Sequence, residues 1–478
     1  MRLLAVPLFS ALFGVLSACS PQPAGESASG GVLLVAIDSL RADHVTCYGY
    51  DRATTPVIDA LAGEGVRFSN AWSAAPAILP SNAALLSGCD PRIAQRVLPP
   101  DVQGTTLSYW SLPREAPHLA QELLGTGHAT AAFVDHPQLG PALGLARGFE
   151  EFQGVPRSDE AVVRRPSPEE LAERFSSWIA SRAQGERWFA FLHFGGLEGF
   201  GWDPAEPWEH RFAPRPGLES VPPVGDGEHV FHALPRSRWS GGARSLGEHE
   251  ASYDGAIARI DAAIGVCIDS LRRRGLLGDT TVVVCGTRGI SFGESGLIGD
   301  SGTLDPVDLS VPLVIRPAAG RRFDPGATRT AVASLVDVAP TVLSLCGAPV
   351  PPDMQGVSLA PALSDDATRP RRLAFAGCAL FEGWLACGED FAFEQSEPWT
   401  ASSELLVRSW YGGPPPEVRA PHMVLSRRAA SQPHARLAPA AFDERVATLA
   451  REGFASWDAE VEALRGRLHP NDWDRARE

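Results

Sequence analysis

Two stretches of the chain decide its fold: Pro76-Ala77-Ile78-Leu79-Pro80-Ser81-Asn82-Ala83-Ala84-Leu85-Leu86-Ser87-Gly88 and, upstream, Val35-Ala36-Ile37-Asp38-Ser39-Leu40-Arg41-Ala42-Asp43-His44. The upstream stretch ends an apolar run over residues 32–37, and an unbroken run of this kind is typical of a parallel strand covered on both faces. Similar runs recur at residues 188–193, 281–285 and 311–315. Amphipathic stretches at residues 117–125 and 251–274 separate them, so strand and helix alternate as in an open α/β sheet.

Both quoted stretches resemble the N-terminal signature of the sulfatase family, within the alkaline-phosphatase-like superfamily. In that family a buried strand delivers a metal-binding Asp, and a Pro-Ser turn delivers the nucleophile two residues before the Pro. The nucleophile is a Cys or Ser that becomes formylglycine, or a Thr in phosphate and phosphonate relatives. Here that position is Ile78. A hydrocarbon side chain has no lone pair with which to attack sulfur or phosphorus.

Further motifs follow in the order that the resemblance implies. They lie at residues 54–68, 129–134, 144–149, 334–343 and 355–359. The resemblance therefore implies an α/β fold, an alkaline-phosphatase-like α/β/α sandwich with a mostly parallel central sheet and a smaller C-terminal subdomain. We place the sulfatase-like domain at residues 31–365 and the C-terminal subdomain at residues 366–478.

The metal positions of the family are largely replaced. Sulfatases and their relatives need a divalent cation, because the transferring group carries negative charge that must be neutralised during attack. Asp38 corresponds to the first ligand, at the end of the first strand. The later Asp-His or Asp-Asn pair falls on Thr287 and Arg288. A guanidinium has no lone pair to offer a metal, so Asp38 is the one ligand that this comparison retains.

The positions that would meet substrate are also altered. Asn82 stands where the family has an Arg or His after the nucleophile, and Glu198 aligns with a His of an Asp-Pro-His element. Asp300 and Gly302 align with the His and Lys of a late His-Gly-Lys element. Neutral or acidic groups in these places would repel an anionic sulfate.

These substitutions predict a pseudoenzyme: a sulfatase-like protein that lacks sulfuric ester hydrolase activity, needs no cofactor, and acts as a binding or accessory protein. We expect Arg288 to take the place of the metal, forming an ion-pair cluster with Asp38, Glu198 and Asp300. The expected partner is a sulfated or phosphorylated glycan or protein.

Two alternatives stay open. In the first, the chain is an active sulfate or phosphate ester hydrolase whose divalent cation is held by a rearranged acidic set. The candidate ligands are Asp38, Glu294, Asp300, Asp305 and Asp308. In the second, the chain is an envelope binding module that uses the region of Trp202, Trp208 and Trp239 as its contact surface.

The N-terminus predicts export and lipid attachment. Residues 1–19 read as a lipoprotein signal peptide, with an apolar segment before a lipobox, Leu16-Ser17-Ala18-Cys19. Cys19 would carry the lipid, and residues 20–30 have the composition of a flexible tether. We therefore expect a lipoprotein of the bacterial cell envelope, held on a membrane and facing the periplasm or the exterior.

The formal net charge of the 478-residue chain is -15, which argues against a nucleic-acid partner. Its eight cysteines show no metal-binding spacing. Cys267, Cys285 and Cys346 are expected to be buried thiols. Cys378 and Cys387 are near enough in sequence for a local disulfide.

Overall fold

The computed structural model describes most of the chain from Gly30 onward. The described residues are 30–91, 111–155, 164–197, 204, 206–215, 245–292, 298–299, 304–371, 374–378, 383–387, 391–396 and 422–427. The predicted signal peptide with Cys19 lies outside them, as do Glu198, Asp300 and Gly302. The predictions made for those residues stay predictions.

The strands alternate with helices through the first part of the described chain. The strands are β1 (Gly31–Ile37), β2 (Val66–Phe68), β3 (Ala71–Trp72), β4 (Ala129–Val134), β5 (Glu151–Gln153), β6 (Trp188–Phe194), β7 (Thr280–Gly286), β8 (Ser291–Phe292), β9 (Ile298–Gly299), β10 (Leu313–Arg316), β11 (Ala327–Arg329), β12 (Ala333–Ser334), β13 (Ala374–Cys378), β14 (Gly383–Cys387), β15 (Phe391–Ser396) and β16 (His422–Arg427). The α-helices are α1 (Pro56–Glu64), α2 (Ile78–Ser87), α3 (Leu119–Gly125), α4 (Pro168–Ala180), α5 (Leu246–Arg273), α6 (Pro306–Leu309) and α7 (Val338–Cys346).

Eight strands form one sheet in the order β11-β2-β10-β7-β1-β6-β4-β5. All neighbours pair in parallel except β10, which is antiparallel to both β7 and β2. The predicted mostly parallel sheet is therefore confirmed. The apolar run at residues 311–315 does not form a further parallel strand, because such a run reports burial on both faces and carries no information about direction.

Strand β1 is the centre of a three-layer arrangement. Its residues Val32, Leu34 and Ala36 belong to a core that also contains α2, α3 and α7. The alternate residues Leu33, Val35 and Ile37 belong to a second core with α1, α4 and α5. Successive side chains of a strand point to opposite faces, so helices cover both sides of the sheet.

Local sequence fixes where the two longest helices begin. Ser167 and Glu170 form a capping box at the start of α4, and Ser245 and Glu248 form another at the start of α5. In each, the hydroxyl and the carboxylate accept two backbone N–H groups that the helix leaves without partners. The predicted start of α5 at Ala251 is therefore five residues too late.

A separate four-stranded antiparallel sheet, β13-β14-β15-β16, follows the main domain. In its register Cys378 faces Gly383 and Cys387 faces Ala374. The two cysteines are thus four positions apart along the strands, roughly 13 Å at about 3.3 Å per residue. A disulfide needs Cα atoms within about 7 Å, so the predicted local bridge is wrong.

The predicted buried thiols are confirmed: Cys267, Cys285 and Cys346 are buried and unpaired. No helix among the described residues combines the length and the apolar character that crossing a bilayer requires.

Candidate functional site

The carboxyl ends of four parallel strands, β7, β1, β6 and β4, meet at one edge of the main sheet. Polar side chains stand at each end: Thr287 after β7, Asp38 after β1, His193 near the end of β6, and Asp135 after β4. This edge is where open α/β sheets bind their ligands. All four residues are almost completely buried.

The Asp38 carboxylate is held by protein groups on both oxygens. Its Oδ1 accepts hydrogen bonds from the Thr287 hydroxyl and from Asn82 Nδ2, the latter at 3.1 Å. Its Oδ2 lies 2.9 Å from His193 Nε2, an ion pair by distance whose angles fall outside hydrogen-bond geometry. Asp38 is 0% exposed, so these contacts replace the water that would otherwise solvate its charge.

His193 lies between two carboxylates. Its Nδ1 is 3.2 Å from Asp135 Oδ1, opposite the contact to Asp38. Asp135 also accepts the Gly195 N–H at 2.7 Å and 2.9 Å. A Cβ on Gly195 would stand 3.0 Å from Asp135 Oδ1, so a larger residue there would require that carboxylate to shift. The backbone therefore fixes Asp135, and Asp135 fixes the imidazole.

The electrostatics favour a buried ion pair. Burial alone would lower the pKa of His193, but the charge of Asp38 and the contacts with Asp135 raise it to about 10. Burial alone would raise the pKa of Asp38, but His193, followed by His136 and Arg288, holds it well below its ordinary range. Near neutral pH the site thus contains an imidazolium between two carboxylate groups.

Ile78 is the first residue of α2 and is 6% exposed. Its side chain packs in the core shared by α2, α3 and α7. Its carbonyl accepts a second hydrogen bond from Asn82 Nδ2, at 2.9 Å. The nearby Ser81 hydroxyl donates to the Thr287 carbonyl at 2.5 Å and contacts Ser73 Oγ at 3.0 Å. Neither Ile78 nor Ser81 therefore presents an activated nucleophile.

A family model for sulfatases matches residues 31–348, about two thirds of the chain. This chain belongs to the sulfatase family. The match spans both quoted stretches and the four strand ends that surround Asp38.

Known sulfatases are similar to this family member over most of its length. Human arylsulfatase A is 26% identical over 383 residues, covering 72% of this chain and 69% of the relative. Mouse steryl-sulfatase is 28% identical over 457 residues, covering 77% and 70%. A phosphonate monoester hydrolase of Agrobacterium radiobacter has the same fold, with a TM-score of 0.65 at 18% identity, covering 91% of this chain and 96% of that one.

The divalent cation of sulfatases does not fit the residues present. Oδ1 of Asp38 accepts two protein hydrogen bonds and Oδ2 faces the His193 cation, and the later ligand positions hold Thr287 and Arg288, neither of which supplies a carboxylate or imidazole ligand. Among the described residues, Asp38 belongs to no group of three side chains that could hold a metal. The imidazolium of His193 supplies the positive charge that Asp38 needs.

The ion-pair partner that the structure gives Asp38 differs from the partner that the sequence predicted. Arg288 is buried, at 3% exposed, and its charge helps lower the pKa of Asp38. The ion-pair contact of Asp38 itself is with His193. Glu198 and Asp300 lie outside the described residues, so their pairing with Arg288 stays a prediction.

Of the acidic residues suggested as ligands of a rearranged metal site, only Asp38, Asp305 and Asp308 lie in the described part of the chain. Asp305 caps α6, accepting the Val307 N–H at 3.3 Å, and Asp308 is buried within that helix. Neither belongs with Asp38 to a potential metal-binding group in the described part of the chain. Glu294 and Asp300 lie outside it.

Sequence reasoning missed Asp135 and His136. Both are buried, and the rings of His136 and His193 lie 6.4 Å apart. The available signal was their place directly after the apolar strand β4, in the same position that Asp38 takes after β1. Of the proposed tryptophan surface, Trp208 is half-buried, with the Arg211 guanidinium 5.2 Å from its ring centre, while Trp202 and Trp239 are not described.

Proposed function

We propose that this sulfatase-family chain lacks ester hydrolase activity and acts as a binding or accessory protein of the bacterial cell envelope, anchored through a lipid on Cys19. The observation that carries the proposal is the state of Asp38. Its Oδ1 accepts hydrogen bonds from Thr287 and Asn82, and its Oδ2 is in ion-pair contact with His193, which stands where a cation would have to approach. Ile78, the first residue of α2, also stands at the nucleophile position of the family and has no atom that can act as a nucleophile.

The charge of Arg288 supports a partner with a sulfate or phosphate group. Its guanidinium acts on Asp38, whereas the charge of His193 is compensated by the carboxylates of Asp38 and Asp135 on either side. Binding without turnover needs only such groups, whereas hydrolysis also needs a nucleophile and charge stabilisation during transfer. We therefore propose a sulfated or phosphorylated glycan or protein as the partner, and no nucleic acid.

The first experiment measures turnover by the mature protein. Chromogenic sulfate, phosphate and phosphonate esters are incubated with the wild type and with Asp38→Ala, with and without added Ca²⁺, Mg²⁺, Mn²⁺ or Zn²⁺. We expect no release that differs between the two proteins. Turnover that Asp38→Ala abolishes, together with bound metal that the same substitution removes, would contradict the proposal and support the alternative of an active hydrolase with a rearranged metal site.

A second experiment tests the partner class. Binding to sulfated, phosphorylated and unmodified glycans is compared for the wild type and Arg288→Gln. We expect binding only to the anionic glycans, weakened in the variant. Equal binding to unmodified glycans would exclude the Asp38 site as the anion-binding element.

The membrane anchor is tested separately. Cys19→Ala should move the protein from the membrane fraction to the soluble fraction and abolish incorporation of labelled fatty acid. An unchanged distribution would contradict the lipoprotein assignment.

A further inference from the structure

A second group of buried and half-buried polar side chains lies between the loop that follows β1 and the first turns of α5. We call it the β1–α5 cluster: His44, Tyr50 and Arg52 from the loop, Arg215 from residues 206–215, and Glu250 and Asp254 from α5. None of these residues belongs to the Asp38 site. His44, Glu250 and Asp254 are 5%, 6% and 0% exposed.

Asp254 makes polar contacts with three other members of the cluster. Its Oδ1 lies 2.9 Å from His44 Nδ1, and its Oδ2 lies 2.7 Å from Arg52 Nη1. The Tyr50 hydroxyl donates to the same Oδ2 at 2.8 Å. Each carboxylate oxygen has two lone pairs, so these contacts do not exhaust the acceptor capacity of Asp254.

Glu250 is satisfied on one side only. Its Oε1 accepts from Arg215 Nε at 2.9 Å and from the Tyr50 hydroxyl at 3.1 Å. Its Oε2 is buried and has no hydrogen-bond partner. A buried carboxylate oxygen without a hydrogen-bond donor is costly, so Glu250 Oε2 is an acceptor available to a further ligand.

We propose that His44, Glu250 and Asp254 form a binding site for a divalent transition-metal ion, with Zn²⁺ as the best chemical match. One ring nitrogen and one oxygen from each carboxylate all lie within 4.8 Å of one another. Ligand atoms about 2 Å from a tetrahedral zinc ion stand roughly 3.3 Å apart, so small side-chain movements would close the site. The unpartnered Glu250 Oε2 is the second observation that indicates a ligand.

The ligand types select the ion. An imidazole nitrogen with two carboxylate oxygens suits zinc, whereas calcium prefers six to eight oxygens. Glu250 and Asp254 are four residues apart on α5, which places both carboxylates on one helix face. Arg52 and Arg215 contact the same carboxylates and would reduce the affinity through repulsion of the ion. We therefore expect reversible binding.

The position of the site gives it a structural role. Tyr253, next to Asp254, donates its hydroxyl to the Ser39 carbonyl at 2.5 Å and accepts the Arg41 N–H at 3.1 Å. Those residues directly follow Asp38. An ion between α5 and His44 would therefore hold the chain that leaves β1 against the helix.

The test uses the mature protein without a histidine tag, first treated with chelator and then titrated with ZnCl₂. Glu206, Glu209 and His210 form a second, exposed group that could take up zinc, so His210→Ala is the background for every measurement. In that background we expect one zinc ion per chain by elemental analysis and a rise in Tm of a few degrees at saturation. Adding Glu250→Gln should abolish both, with far-ultraviolet circular dichroism unchanged.

The result in the His210→Ala background can overturn the proposal even if Glu250→Gln fails to fold. Substoichiometric zinc with no change in Tm would overturn the proposal. Full retention of zinc in a folded Glu250→Gln variant would overturn it equally. Because Asp38 is not a ligand of this site, neither outcome bears on the proposed lack of hydrolysis.

Discussion

His193→Gln removes the cation that Asp38 contacts and leaves a buried carboxylate with neutral donors only. Breaking a buried ion pair from one side costs about 3–5 kcal/mol of unfolding free energy. The pKa of His193 gives a similar figure: it is held at about 10 against an ordinary value of 6.5. At about 1.4 kcal/mol per pKa unit, protonation of His193 contributes roughly 4–5 kcal/mol.

The same shift fixes the pH dependence. Because the pKa of His193 is raised on folding, its contribution is fully present below about pH 6.5 and is lost as the pH rises through about 10. The difference in unfolding free energy between the wild type and His193→Gln should therefore be largest near pH 6 and should shrink steadily toward pH 10. Taking the difference removes the contributions of other titrating groups.

Urea unfolding followed by tryptophan fluorescence and circular dichroism measures this difference. His210→Gln is the matched control, because the His210 side chain is 78% exposed and its loss should cost less than about 0.5 kcal/mol. The double variant Asp38→Asn with His193→Gln removes both charges and should recover part of the loss. A cost for His193→Gln below about 1 kcal/mol, or a difference that stays flat between pH 6.5 and 10, would refute the ion pair.

Three further predictions concern single positions. Ile78→Thr restores the hydroxyl of the Thr-type relatives but should yield no turnover of chromogenic esters, because Asp38 remains engaged by His193; turnover above the Ile78 protein would show that the nucleophile alone was missing. Asp261 accepts the N–H groups of two α1 residues, yet burial raises its pKa to about 7. Because this pKa is raised on folding, the protonated carboxyl of Asp261 stabilises the fold below about pH 4, and this stabilisation is lost as the pH rises through 7. The stability advantage of the wild type over Asp261→Asn should therefore narrow by roughly 2–4 kcal/mol between pH 4 and 8 in urea unfolding, and a constant gap would contradict the shift. Gly356→Ala should lower the unfolding free energy by about 1–3 kcal/mol or more, because the new Cβ would stand 1.8 Å from the Val336 carbonyl oxygen. An unchanged Tm would mean that the segment around Gly356 moves to make room for the methyl group.

Apolar runs identified four of the eight strands of the main sheet, β1, β6, β7 and β10, because burial on both faces leaves a clear trace in the sequence. The predicted run at residues 32–37 became β1 (Gly31–Ile37), and the run at 281–285 became β7 (Thr280–Gly286). The apolar runs did not predict strand direction, as the antiparallel β10 shows, because direction depends on the path of the chain between strands. The start of α5 was missed because the missed residues 246–250 include the buried polar residues His249 and Glu250, which interrupt the apolar pattern.

At the site, alignment with the family's motifs placed Ile78, Asn82 and Thr287 correctly around the strand ends, and Asn82 and Thr287 both contact Asp38. It did not find the partner that neutralises Asp38. His193 is separated from Asp38 by more than a hundred residues, and its orientation depends on Asp135, which stands in another loop. Which strand ends lie next to each other depends on the order of the strands in the sheet. That order cannot be read from the sequence.

The contacts that surround the Asp38 carboxylate also constrain how the site could change by mutation. Restoring an Asp at position 287 would remove the Thr287 hydrogen bond and place a second carboxylate beside Asp38. Replacing Arg288 would remove a positive charge that now favours ionised Asp38. Each reversal taken alone leaves buried charge without compensation and lowers stability. Several buried positions would therefore have to change together before this site could match the ligand set of the family's divalent cation.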